Sequence, residues 1–345
     1  MAVKHQVILS GIAQRVRVSA YGGGASEMRL LQTIETWLLN SSDTVSADSK
    51  VKRFFGSVLR KIFPRWPGAA RVLIGARLLM RHPIVRCEAR GCIFYVDVRD
   101  EAIAWRLLGI YRDSREYEPA ETEFLQRRLR QGMTFIDIGA NFGFFSILAG
   151  KLVGPAGTVI AFEPEPHNFA LLQKNLLANK IVNVRANNRA VVDHPKKLNL
   201  YLSARNYGDH RTFDSDDDSM GSASKRVNVV TVEGISIDDY LADYNKSVDF
   251  IKVDVQGAEY SVLQGMKKVL LANHHVVLLT EFWPDGMRLN GTDPEMYLQE
   301  LRALGFRIHQ LASDGLLTCV SDDIVTRLGG HQDYTNLVCV RAPVA

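Results

Sequence analysis

One stretch constrains this chain more than any other: an apolar strand runs without pause through a glycine turn into a helix. Met133-Thr-Phe-Ile-Asp-Ile138 is strand-like, Gly139-Ala-Asn-Phe-Gly143 interrupts it, and Phe142 to Val153 follows as a helix closed by Gly154-Pro155. Thr158-Val-Ile-Ala-Phe-Glu163 repeats the strand, and a helix with Pro166 in its first turn carries Phe169, Leu172 and Leu176 on one face. A weakly marked strand at Val182 to Ala186 precedes Val248–Asp254, Val276–Glu281 and Phe306–Leu311. Asn336–Arg341 is expected to close the sheet as an antiparallel hairpin partner of the strand before it. Strand–helix alternation of this kind predicts an α/β fold with a mostly parallel sheet. Between the third and fourth parallel strands lies a polar insertion, Ser203 to Lys225, with five aspartates.

In an open α/β sheet, ligands bind at the carboxyl ends of the strands. Gly139 and Gly143 let backbone approach a ligand closely, and Glu163 ends the next strand where an acid can take both hydroxyls of a ribose. The ligand is therefore expected to be a nucleoside. Dinucleotide loops seat a pyrophosphate on bare glycine backbone. Here Asn141 stands in place of the second glycine, and Asp137 sits just before the turn, where it would repel a pyrophosphate. The carboxylate suits a nucleoside with an ammonium and a sulfonium, which is S-adenosylmethionine (SAM). Asn188 and Ala190, after the third strand, lie where an adenine ring is expected to pack.

Four motifs in order, Phe135–Ser146, Ile160–Pro164, Val232–Leu241 and Phe250–Glu259, resemble the FkbM-type family of SAM-dependent methyltransferases over roughly residues 111–341. The resemblance implies a Rossmann-like, seven-stranded, mostly parallel sheet and methylation of a hydroxyl on a sugar, glycan or secondary metabolite. N-methylation, or a non-catalytic SAM-binding or scaffolding role, are the alternative readings, and a nicotinamide dehydrogenase is the weakest. The resemblance places Tyr117 and Glu118 over the methionine end. One departure is Gln256, where the family commonly has an acid.

A hydroxyl acceptor must lose a proton, and a positioned His or carboxylate can take it. The candidate bases are His210 and Asp209, in the Asn206–Arg211 part of the insertion, and then Asp254 at the end of the fourth strand. Arg211 is a candidate for orienting substrate, and Glu281 for lining the acceptor pocket. Glu259 reads as a pairing or capping residue more than a site residue. Ser236-Ile-Asp-Asp239 reads as a capping box. The aspartate run is read as a solvated loop, so no metal is expected.

A net charge of +4 gives no case for nucleic-acid binding. Residues 51–86, however, carry nine basic residues and no acid, with Phe54 and Phe55 on one helical side. That pattern fits peripheral contact with an anionic membrane, against the alternative that it packs on its own domain. Arg15 and Arg17 interrupt the short apolar stretch near the N-terminus, which argues against a secretory signal. Cys87, Cys92, Cys319 and Cys339 show neither disulfide nor zinc spacing and fit a reducing, cytoplasmic setting. The expected organisation is a poorly patterned extension at 1–45 with a short helix at Glu27–Leu39, a basic helical segment and accessory strand at 46–115, and the SAM-binding domain at 116–345. The oligomeric state is not legible.

Overall fold

The computed structural model describes residues 83–100, 102–107, 117–204, 206–214, 226–321, 323–328, 330 and 333–341. The expected helix at Glu27–Leu39, nearly all of the basic segment and most of the aspartate run lie outside these residues. The chain divides into two compact units. One comprises Met1–Val85, Val96–Arg99 and Ala104–Arg115. Within it Val98 donates to the Pro83 carbonyl at 2.9 Å, and Asp97 pairs with Arg99. The other comprises Arg86–Tyr95, Asp100–Ile103 and Glu116–Ala345.

In chain order, the hairpin β1 (Ile84–Ala89) and β2 (Cys92–Asp97) precedes helices α1 (Ile103–Leu107) and α2 (Pro119–Arg128). Strand and helix then alternate through β3 (Thr134–Ile138), α3 (Phe144–Val153), β4 (Thr158–Phe162), α4 (Pro166–Ala178) and β5 (Val184–Asn187). A side sheet follows from β6 (Ala190–Val191), β7 (Lys196–Ser203) and β8 (Arg226–Ile235). The chain returns through α5 (Ile237–Tyr240), β9 (Phe250–Val253), α6 (Glu259–Gln264), α7 (Lys267–Ala272), β10 (Val277–Phe282), α8 (Pro284–Leu289) and α9 (Pro294–Ala303). It ends with β11 (Arg307–Leu311), β12 (Leu317–Cys319), α10 (Ile324–Arg327) and β13 (Thr335–Val340).

The main sheet has the order β12-β11-β13-β10-β9-β3-β4-β5. The pairs from β10 to β5 are parallel, and β13 runs antiparallel to both β10 and β11. This is a Rossmann-like α/β sheet, and it has eight strands where seven were expected, because β12 adds an antiparallel edge to β11. The last strand also differs from expectation. It does pair antiparallel with β11, but it inserts between β11 and β10 instead of closing an edge. Four of its last residues, Leu337–Val340, are buried, which an inner strand covered on both faces requires. The same reason explains β3 and β4, whose every residue is buried.

The chain builds β3, β4 and β5 outward in one direction and then restarts on the other flank of β3 with β9. The reversal leaves a crevice between the carboxyl ends of β3 and β9. The side sheet was not anticipated beyond a polar insertion. Its small core is Ala190, Val192, Leu200 and Val232. Among the described residues no helix is long and apolar enough to cross a membrane. Ser236 caps α5 by accepting from the Asp239 amide at 3.0 Å, as the capping-box reading expects.

Candidate active site

The glycine turn fills the crevice, and its conformation is dictated by neighbours on both sides. Gly139 has φ +84°, and a Cβ there would lie 1.9 Å from the Asp254 carbonyl oxygen at the end of β9. Its amide and that of Ala140 both donate to the Phe162 carbonyl, at 3.0 and 2.9 Å, which sews the turn to β4. Asn141 adopts φ 51°, a left-handed conformation that asparagine tolerates better than most side chains. Gly143, with φ +92°, caps α3, where a Cβ would lie 2.4 Å from Leu172. From behind, Asn175 of α4 donates to the Phe142 carbonyl at 2.9 Å and exchanges two bonds with the Tyr95 backbone, fixing β2 beside the turn.

Asp137 and Glu163 flank this turn. Asp137 is 1% exposed; Ser146 of α3 donates to its Oδ2 at 2.6 Å, while Oδ1 has no hydrogen-bond partner. Burial holds its carboxyl above the usual range, against the pull of Lys252 and Ser146. Glu163 accepts from the amides of Asn141 at 2.8 Å and Glu165 at 2.9 Å. Burial pushes its carboxyl up to about 8 despite those two donors. Asn188 donates to the carbonyls of Glu163 and Pro164 at 2.8 and 2.9 Å, so its amide fixes the turn that aims Glu163. Ala190 is different: it pairs with Gly234 and packs in the side-sheet core, not at an open wall for adenine.

The far side of the crevice is crowded with carboxylates around one buried ammonium. Lys252, inside β9, stands 2.9 Å from Asp254 Oδ2 and 4.7 Å from the centre of the Phe145 ring. Gln256, held at φ 54°, uses Nε2 to donate to Asp254 Oδ1 and to Glu281 Oε2, both at 2.8 Å. Burial, reinforced by Asp254 and Glu259, raises the Glu281 carboxyl well above its ordinary range. Glu118 feels both Lys252 and Asp254, and burial lifts it to about 8. Tyr117 beside it packs on Phe144 at 4.9 Å and on Phe142 at 5.7 Å, and burial pushes its phenol up. Glu259 is fully buried with Oε1 accepting from the amides of Val255 and Gly257, and its Oε2 has no partner. Glu259 thus holds the turn after β9, as its pairing reading anticipated.

The insertion does reach the glycine turn. The Tyr207 carbonyl accepts from Asn168 of α4 at 2.9 Å and from Asn141 at 3.5 Å. Its other candidate residues are placed differently from expectation. Arg211 is 2% exposed, donates through Nε to Asp209 Oδ1 at 2.6 Å, and lies 4.4 Å over the Trp283 ring. Its charge is neutralised and its face covered, so it pins the insertion to the end of β10 instead of facing a substrate. Asp209 is buried against that cation, closed to solvent. His210 accepts from the Ser203 amide through Nδ1 at 3.1 Å, which leaves the neutral ring's proton on Nε2. In that tautomer the outer nitrogen is a donor and cannot take a proton. Of the three candidate bases, Asp254 alone is a partly exposed carboxylate in the crevice, with 24% of its side chain open.

This set fits SAM. An orphaned, buried carboxylate oxygen at Asp137 awaits a cationic donor, Glu163 offers acceptor oxygens one strand away, and acids outnumber the single lysine. A pyrophosphate would meet the opposite field. Residues 137–308 match the family model described as the methyltransferase FkbM domain. Residues 137–308 are an FkbM-type methyltransferase domain.

Relatives of the chain include Methyltransferase 1 of Beauveria bassiana, 27% identical over 38% of this chain and 57% of that protein. Methyltransferase sdnD of Sordaria araneosa is 28% identical over 44% of this chain and 68% of its own length. The 31-O-demethyl-FK506 methyltransferase FkbM of Streptomyces tacrolimicus is 27% identical over 40% and 61%. The chain therefore spans a little over half to about two thirds of these relatives. Among solved structures, a SAM-dependent O-methyltransferase from Thermotoga maritima aligns at 15% identity and TM-score 0.36, covering 78% of this chain and 82% of that one. M. jannaschii TYW2 in complex with AdoMet aligns at 14% identity and TM-score 0.38, covering 74% and 84%. At these scores the likenesses add nothing to the topology described above.

Two residues of the FkbM-type site escaped the sequence reading. Ser146 looked like ordinary helix, and only the fold brings it to Asp137. Lys252 left a signal: a lysine between Ile251 and Val253 in a fully buried strand demands nearby carboxylates.

Proposed function

We propose that this FkbM-type protein transfers a methyl group from SAM to a hydroxyl of a sugar, glycan or secondary metabolite. The observation that carries the reading is the Asp137 carboxylate, buried at the start of the glycine turn with one oxygen unpartnered. When bound, the cofactor supplies an electrophilic methyl group on a sulfonium. Asp137 would hold its ammonium, Glu163 its ribose hydroxyls, and Tyr117 with Glu118 would cover its methionine end. Gly139 and Gly143 let the backbone come close, and Asn188 keeps Glu163 aimed.

Methyl transfer is an in-line displacement, so the protein's main task is alignment. Asp254 is the residue we assign to accept the acceptor's hydroxyl proton, since it is a carboxylate whose side chain is open to the crevice. His210, with its proton on Nε2, is suited to donate a hydrogen bond to an acceptor oxygen. Oxygen as the target agrees with the FkbM relative that acts, by its name, on 31-O-demethyl-FK506. The test is incubation of cell extract with the protein and isotopically labelled SAM, read by mass spectrometry, with Asp137→Ala as control. Label passing to an extract component only with the wild-type protein supports the reading. Label remaining on the cofactor overturns it.

A further inference from the structure

Where α4 ends, the chain exposes two aliphatic side chains among cations. Leu177 is 80% exposed and Val182 is 91% exposed. Scattered exposed aliphatics are ordinary, but these two flank one tight turn. The amides of Lys180 and Ile181 donate to the carbonyls of Leu177 and Leu176 at 3.1 and 3.0 Å, the paired bonds of a Schellman cap. Glycine is the usual residue at the centre of such a cap, where φ is positive. Here Lys180 takes φ 55°, so the backbone is strained to carry a cation. Lys174, one helical turn before Leu177, lies over the Tyr95 ring at 4.1 Å. Asn183, next to Val182, donates to the carbonyls of Gly150 and Gly154 at 2.9 and 2.8 Å, which brings in the end of α3 with Lys151. Arg185 follows on β5, the open edge of the main sheet. All four cations are exposed.

Nothing on these elements offsets that charge. From Gly139 to Val192 the only acids are Glu163 and Glu165, and both are buried beside the glycine turn. Asn179 ties the end of α4 to Ile93 of the hairpin, where the exposed Glu88 is already matched by Arg86 at 2.6 Å. A partner must therefore be anionic and must receive aliphatic side chains. Single-stranded nucleic acid is held by stacking rings, and the Tyr95 ring is covered by Lys174. A second copy docked about a two-fold axis would set these cations against themselves. We propose that this corner, with Leu177 and Val182 at its centre and Lys151, Lys174, Lys180 and Arg185 around them, docks on an anionic lipid surface. Helix α4 starts past the carboxyl end of β4 and finishes ahead of the amino end of β5, so the corner and the crevice lie at opposite ends of the strands. Docking leaves the crevice open to water. The proposal is independent of the methyl-transfer reading and of residues 51–86.

The experiment sediments the full chain with vesicles of phosphatidylcholine alone or of phosphatidylcholine mixed with phosphatidylglycerol. Recovery is expected with the mixed vesicles only, and it should fall as salt is raised. Leu177→Ser combined with Val182→Ser should lower partitioning about tenfold, because two aliphatic side chains no longer leave water. Lys180→Gly should lower it about fivefold through the lost charge. Thermal unfolding is expected to be unchanged in the first variant and unchanged or raised in the second, since glycine relieves the positive φ. Partitioning equal to wild type in both variants would assign any lipid binding to another part of the chain and overturn the proposal. Equal recovery on the two vesicle types, or recovery on neither, would also overturn it. Capture of a single-stranded oligonucleotide in place of the mixed vesicles would overturn it in favour of nucleic acid.

Discussion

Ser146 donates its hydroxyl to Asp137 Oδ2 at 2.6 Å, fixing the carboxylate so that its other oxygen is left for a ligand. Asp137→Asn keeps the shape and the Ser146 bond but removes the charge. A hydrogen bond to a charged group contributes about 1.5–3 kcal/mol, so affinity for S-adenosylhomocysteine is expected to fall about ten- to a hundredfold. Thermal stability without ligand should not fall, because a buried charge is removed. Calorimetry giving equal affinities for the two proteins would sink the charge-based reading of the site.

The site should release protons when it binds its cofactor. Burial raises Glu163 to about 8 and Glu118 to about 8, from 4.5 in each case. A carboxyl raised on folding stabilises the folded state fully below its unfolded value, and that contribution is lost as pH climbs to the folded value. The ligand-free protein is thus expected to lose stability between pH 4.5 and 8 through these two groups. Ribose hydroxyls and an ammonium favour the ionised forms. Titrations near pH 7.5 in buffers of different ionisation enthalpy should show net proton release, and buffer-independent heats would contradict the assignment.

Arg211→Met leaves Asp209 buried without its cation, and breaking one side of such a pair costs about 3–5 kcal/mol. Replacing both partners, as Asp209→Asn with Arg211→Met, should recover most of that loss, because no charge then remains unpaired. Urea unfolding distinguishes the outcomes. A single variant as stable as wild type would mean that the insertion does not depend on this pin.

Gly139→Ala puts a methyl carbon 1.9 Å from the Asp254 carbonyl at a φ that alanine avoids. The ends of β3 and β9 must part, so cofactor binding is expected to disappear even where the protein still folds. Circular dichroism with calorimetry on the same sample checks this. Retained binding would show that the crevice is wider than the backbone contact implies.

The strands that build the crevice were legible because each is an apolar run doubly buried by helices. Thr134–Ile138, Thr158–Phe162, Phe250–Val253 and Val277–Phe282 all fall within one or two residues of their expected bounds. The insertion of β13 between β10 and β11 was not legible, since strand order is a property of distant partners and leaves no local mark. The side sheet was missed for a different reason: Lys196–Ser203 and Arg226–Ile235 alternate as strands do, but the polar loop between them dominated the composition. The candidates beside the glycine turn, Asp137 and Glu163, were placed there by charge and position. Those in the insertion were not, because whether Asp209, His210 and Arg211 face a ligand or one another depends on contacts with Trp283 and Ser203.

Because β6, β7 and β8 form a sheet of their own, the register of the main sheet is independent of how long the excursion between Ser203 and Arg226 is. The arm can change in length without shifting a single strand pairing of the main sheet. Two building rules thus share one chain: fixed pairing in the main sheet, and freedom of length in the arm beside it.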